Sequence, residues 1–195
     1  MIHLLRLPVL GLMLLGLAAC GINTIPTKEE AAKAKWADVE NQYQRRADLV
    51  PNLVATVQGF AAQERDVLTA VTEARARASS VQLSADDLTN PAQVAQFQAA
   101  QDQLGQSLGR LLVTVERYPE LKSNQNFLEL QSQLEGTENR IAIARRDYNE
   151  AARAYNTEIR TFPSRITATV VYGSEPLTYF EATTPGAAQA PTVAF

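Results

Sequence analysis

PAQVAQFQAAQDQLGQSLGRLLVTVERY, residues 91–118, steps through Val94, Phe97, Gln101, Leu104, Leu108, Leu111, Val115 and Tyr118 at alternating intervals of three and four. That spacing puts all these side chains on one stripe of an α-helix, whereas a strand would need a period of two. Asn90 before Pro91 supplies the start: an Asn side chain accepts from the free amides of a first turn, and proline has no amide there to leave unpaired. Pro119 supplies the stop.

The same spacing extends to both sides. Downstream, Asn124 is placed to cap a helix whose stripe runs Phe127, Leu130, Leu134, Ile141, Tyr148, Ala152, Tyr155, Ile159 and Phe162, with Glu138 and Arg145 at polar breaks and Pro163 as its end. Upstream, Trp36, Val39, Tyr43, Val50, Leu53, Val57, Phe60, Val67, Val71, Ala74 and Ala78 keep the phase once Arg46 and Glu64 are included. This stripe predicts a single helix of about 50 residues, roughly 75 Å long. Thr27 and Glu30 fit a capping box at its start, and Pro51 predicts a kink near Ala47. The expected fold class is all-α: an elongated antiparallel bundle of three long helices over residues 28–163, with coiled-coil-like packing and room for a short fourth helix between 80 and 90.

After Pro163, the β-branched and aromatic residues from Ile166 to Tyr172 predict a strand or an extended strap, the strap covering 164–182. Residues 183–195, rich in Ala, Thr and Pro, lack the large apolar side chains needed to pack and are expected to be a disordered tail.

The N-terminus carries an address. His3 and Arg6 lead into an apolar run from Leu7 to Leu17, and Leu17, Ala18 and Ala19 precede Cys20. The run is shorter than the roughly 20 residues of a membrane-spanning helix. It reads as a signal peptide over 1–19, and its end resembles the lipobox of bacterial lipoproteins, which are cut before a lipidated cysteine. The alternative is an uncleaved signal anchor. Acyl chains on Cys20 stabilise membrane attachment by about 0.8 kcal/mol per buried methylene, and residues 20–27 form a short tether. Gly21 in place of Asp gives no sign of inner-membrane retention, so the expected location is extracytoplasmic, at the periplasmic face of the outer membrane in a double-membraned host.

Processing before Cys20 removes His3 and both methionines, and leaves no second thiol for a disulfide. Histidine-dependent triads, zinc sites and the Glu-x-x-His di-iron sites of helical bundles are thereby excluded, and no cofactor is expected. Losing Arg6 leaves 17 basic against 21 acidic side chains, a formal charge of −4 with no basic run, which offers nucleic acid no footprint.

Five stretches in order carry a recognisable pattern. Arg45-Arg46-Ala47-Asp48-Leu49-Val50-Pro51-Asn52-Leu53-Val54 is followed by Thr56, Val57, Gly59 and Phe60. Next come Tyr118, Pro119, Leu121, Lys122, Asn124, Asn126 and Phe127, then Thr137-Glu138-Asn139-Arg140-Ile141 with Ala144, Arg145, Tyr148 and Asn149. Tyr155, Asn156, Ile159, Arg160, Phe162 and Pro163 precede Tyr179, Phe180 and Glu181. Over residues 34–182 the chain resembles the LemA family. The resemblance implies an all-helical, membrane-anchored bundle outside the cytoplasm, with no enzyme activity firmly attached to it. The chain departs from that pattern at its lipobox, where relatives more often look like uncleaved anchors, and this opens the question of topology.

Arg46, Glu64, Glu138 and Arg145 form a candidate buried polar seam, since the heptad phase turns them inward and burial would require them to pair. They read as register control, as solvated residues at the edge of the seam, or as a ligand or partner site. Asp48, Glu64 and Glu138 are the acids available for general acid–base work. The expected function is a non-enzymatic scaffold or adaptor, bound to membrane lipid through Cys20 and to an envelope protein. A cell-wall tether and a carboxylate-dependent envelope hydrolase are the alternatives, and the oligomeric state is left open.

Overall fold

The computed structural model describes residues 22–181. The signal peptide, Cys20 and the expected tail at 183–195 lie outside the described residues. The helices are α1 (Thr24–Phe60), α2 (Arg65–Ser80), α3 (Pro91–Val115), the single turn α4 (Pro119–Lys122), α5 (Gln125–Arg160) and α6 (Ser164–Thr167). A 3-10 turn occupies Ala85–Thr89 and a π turn Ala168–Tyr172. The fold is all-α, with no strand among the described residues.

The expected 50-residue helix is two helices. The chain reverses at residues 61–64, where Ala61 is buried and its amide donates to the Val57 carbonyl at 2.8 Å. A 3/4 apolar spacing reads the same along one helix or around an antiparallel pair, so the stripe does not register the reversal. Length decides it: an unbroken helix of about 75 Å would project some 20 Å past α5, whose 36 residues span about 54 Å, and leave its apolar stripe in water. The bundle therefore has four long members running up, down, up, down, and the 80–90 segment supplies only a 3-10 turn. Arg75 of α2 meets Ala47 of α1, Tyr118 after α3 meets Glu64, and Lys28 of α1 meets Glu158 of α5, which fixes these directions.

Pro51 sits inside α1, and the helix continues through it. A proline at 51 cannot donate to the carbonyl of residue 47. The Ala47 carbonyl is taken instead by Arg75 Nε at 2.8 Å, so the bond missing within α1 becomes a tie to α2.

Three boundaries differ from expectation. Helix α1 begins at Thr24 rather than after Thr27, because Ile25 is fully buried and its packing extends the helix; Thr27 donates to the Asn23 carbonyl instead of capping. The 164–172 segment is helical, since a β-rich stretch with no partner strand satisfies its backbone better by coiling. Gly173, at φ +59°, ends that coil in the left-handed region open to glycine, and an extended strap covers 173–181. Phe60 and Phe162, placed on the stripes, are exposed at the helix ends.

The core divides into two clusters. The lower one centres on Trp36, which stacks on Phe180 at 5.8 Å, meets Phe97 and Tyr148 edge-on, and donates from Nε1 to the Leu83 carbonyl. The upper one joins Val50, Leu53, Val57, Leu104, Leu108, Leu111, Phe127 and Leu134.

Candidate functional site

Arg46 lies in α1 between the two clusters, 3% exposed. Its Nη1 donates to Glu138 of α5 at 2.7 Å, and its Nη2 donates to the backbone and side-chain oxygens of Gln101 in α3, at 2.9 and 2.8 Å. Gln101 Nε2 in turn donates to the Ala78 carbonyl of α2. One guanidinium thus links all four long helices in a single polar layer. Its face lies 5.1 Å from the Tyr43 ring, and its Nε has no partner among the described residues.

The four residues read from the sequence as a buried seam occupy different places. Arg46 is in the core. Glu138 is at the rim with its side chain 49% exposed, so its charge is screened while it holds Arg46. Arg145 is half-buried beside them, its guanidinium 4.9 Å from the Phe180 ring and Nη2 donating to the Glu181 carbonyl. Glu64 belongs to the opposite end of the bundle, where it accepts from Arg117 and from the Tyr118 hydroxyl, a bond that raises the Tyr118 pKa. Glu64 and Glu138 are therefore not brought together as an acid–base pair, and Asp48 is on the surface.

Helices α3 and α5 make no extended contact with each other, and the furrow between them encloses about 810 Å³. Tyr43 and Arg46 form its floor, Leu108, Leu112, Leu134 and Ile141 its apolar walls, and Asp102, Glu138 and Arg145 its charged rim. Gly105 and Gly109, one turn apart on α3, keep the furrow open: a Cβ at 105 would lie 3.7 Å from Arg46 Nη1, and one at 109 would meet nothing within 4 Å. Burial raises the Asp102 pKa, against the pull of Arg145 and Arg46 and with that of Glu138. Burial also holds the Tyr43 phenol protonated, opposed by the same two arginines.

The lower half of this furrow is filled by the strap. Asn156 accepts from the Leu177 amide and donates to its carbonyl, and Asn149 does the same for Phe180, all at 2.8–2.9 Å. The two asparagines are seven residues apart on a helix, about 10.5 Å. Their targets are three apart on an extended chain, about 10 Å. The spacings match, so one helix reads an extended backbone through side-chain amides. Tyr148 donates to the Thr178 carbonyl, the Thr178 amide donates to Leu88, and Gln98 and Arg145 both hold the Glu181 carbonyl. None of these strap contacts was read from the sequence; the signal available was Asn149 and Asn156, seven apart beside Tyr148, Ala152 and Tyr155 of the α5 stripe.

The architecture defines a class: a strap-locked bundle of four helices with one polar layer and a half-open furrow. A family model described as LemA family matches residues 35–195, and the chain belongs to that family. It is similar to magnetosome protein MamQ 2 of Paramagnetospirillum magneticum, 29% identical over 72% of this chain and 58% of that protein. Magnetosome protein MamQ of Magnetospirillum gryphiswaldense is 27% identical over the same shares. Protein LemA of Metamycoplasma hominis is 27% identical over 60% of this chain and 49% of that protein. The chain thus spans about half to three-fifths of the length of these relatives. Among the described residues, no helix is long and apolar enough to cross a membrane.

Proposed function

We propose that this protein is a non-enzymatic scaffold or adaptor, held at the bacterial envelope through a lipid on Cys20, and that its α3–α5 furrow seats an extended segment of a protein partner. The observation that carries this reading is the strap: the furrow already binds one extended chain through matched side-chain amides, and its upper half is open, apolar-walled and equipped with charged groups.

Gly109→Leu tests it, because the new side chain enters open space in the furrow and does not strain the helix. Affinity capture from envelope fractions is expected to recover a specific partner with the native chain and to lose it with Gly109→Leu. Equal recovery with both chains overturns the furrow reading, and binding to isolated cell wall alone favours a wall tether. Mass spectrometry of the envelope form is expected to show acyl mass on Cys20 and loss of residues 1–19; an intact Met1 would remove the lipid anchor. A carboxylate-dependent hydrolase is the second reading, favoured by Asp102, whose pKa is raised in the furrow. Its mark would be turnover of an envelope substrate abolished by Asp102→Asn or Glu138→Gln.

A further inference from the structure

The segment after α5 has its apolar side outward. In the 164–172 coil the side chains turned to the bundle are small: Ser164, Thr167 and Ala168 are buried. The large ones face away. Ile166 and Val170, four apart and so on one helical face, are 59% and 77% exposed, Val171 is 64% exposed, and Phe162 just before the coil is 81% exposed. Among the described residues, six of the eleven exposed large apolar side chains (Ile22, Phe162, Ile166, Val170, Val171 and Tyr172) gather at this one end of the bundle, which makes it a surface rather than scattered exposure.

Two further observations say what covers that end. The chain enters there: the Tyr172 hydroxyl donates to the Ile22 carbonyl at 3.0 Å, and Ile22 is two residues after Cys20 in the sequence. Two cations flank the patch: Arg160 and Arg165 are exposed and have no ion-pair partner among the described residues, while Glu158 is paired with Lys28 and bonded to Ser164; the acids of this end are Glu175 after the coil and, further up α1, Glu29, Glu30 and Asp86 grouped around Lys33.

We propose that this end of the bundle docks on an anionic lipid bilayer, with Phe162, Ile166, Val170 and Val171 entering the headgroup–acyl boundary and Arg160 and Arg165 meeting lipid phosphates. The inference rests on the anchored reading above and adds to it a second, non-covalent contact that sets orientation. The bundle stands on its end, and Arg46, 24 residues along α1 from Ile22, is carried about 36 Å above the surface, so the open part of the furrow lies clear of lipid.

The test uses the full chain in vesicles of phosphatidylethanolamine and phosphatidylglycerol, with a photo-reactive benzophenone side chain at position 170, or at position 113 at the opposite end, where Val113 is 73% exposed. Flotation reports attachment, and irradiation reports contact. The expected result is at least a fivefold excess of lipid adducts at 170 over 113, falling severalfold when phosphatidylglycerol is left out or when Arg160→Gln and Arg165→Gln are combined. A chain that floats but gives equal adducts at both positions overturns the docking surface and leaves the anchor standing. Cross-linked dimers at 170 in place of lipid adducts assign the patch to a second copy and overturn it as well. A chain that does not float removes both the anchor and the surface.

Discussion

Replacing Arg46 by Ala probes the polar layer directly. The guanidinium makes three hydrogen bonds in the native chain, two to Gln101 inside the core and one to Glu138 at the rim. Hydrogen bonds to a charged group contribute about 1.5–3 kcal/mol each, but desolvating the guanidinium costs several kcal/mol and offsets much of that. Glu138, half-exposed, rehydrates after the change, so its share is at most about 1 kcal/mol. What remains is the unmet oxygen of buried Gln101 and the cavity left by the arginine stem, together about 3 kcal/mol. For a domain of this size that lowers Tm by about 6–12 °C. The double change Arg46→Met with Gln101→Leu removes donor and acceptor together and fills the space, and is expected to return within about 1 kcal/mol of the native chain. Thermal and urea unfolding followed by far-ultraviolet circular dichroism measure both. A loss under about 0.5 kcal/mol for Arg46→Ala, at the level of an ordinary surface change, would refute the reasoning.

Asn156→Ala unties both bonds to Leu177 and is expected to cost about 2–3 kcal/mol, with amide exchange accelerating together at Leu177 and Phe180; a change confined to 177 would show that the strap is not held as one piece. Gly109→Leu is expected to leave stability within about 0.5 kcal/mol of native, since it meets open space, and a large loss by urea unfolding would mean the furrow is closed. Two carboxyls give opposite pH signatures. The Lys28 and Ser164 bonds lower the Glu158 pKa below 4.5, so its contribution is present above pH 4.5 and is lost as pH falls through the folded value; Lys28→Met should flatten that acid limb. Burial raises the Asp102 pKa above 3.8, so its ionisation costs stability as pH rises from 3.8 through the folded value. Asp102→Asn is therefore expected to stabilise the chain at neutral pH with no gain below pH 3.8, and the same unfolding curves taken across pH decide both.

Helix α3 was legible almost residue by residue, because capping and stripe agree: Asn90 accepts from the Ala92 and Gln93 amides, and the seven stripe positions from Val94 to Val115 are buried. The reversal at 61–64 was not, because Val57, Phe60 and Glu64 continue the stripe and no Pro marks the turn. Arg46 could be placed inward by phase alone, yet its main partner could not: Gln101 fits the α3 stripe and passes for a tolerated polar residue until α1 and α3 are set side by side. The strap was hidden for a related reason. Its contacts join residues 21 to 31 apart in sequence through the side chains of Asn149 and Asn156, and no local propensity encodes them. Ile166 to Val171 misled in the other direction, since their β-branched character promises a strand and the segment instead coils with Ile166, Val170 and Val171 exposed.

The most direct test of the furrow reading compares two adjacent residues of α3. Leu112 lines the furrow, and Val113 points out of the bundle. With a photo-reactive side chain at one position or the other in the full chain, irradiated in its native envelope, the account predicts a discrete adduct with one protein from position 112 and none from 113. Equal adducts from both, or an adduct from 113 alone, would contradict it.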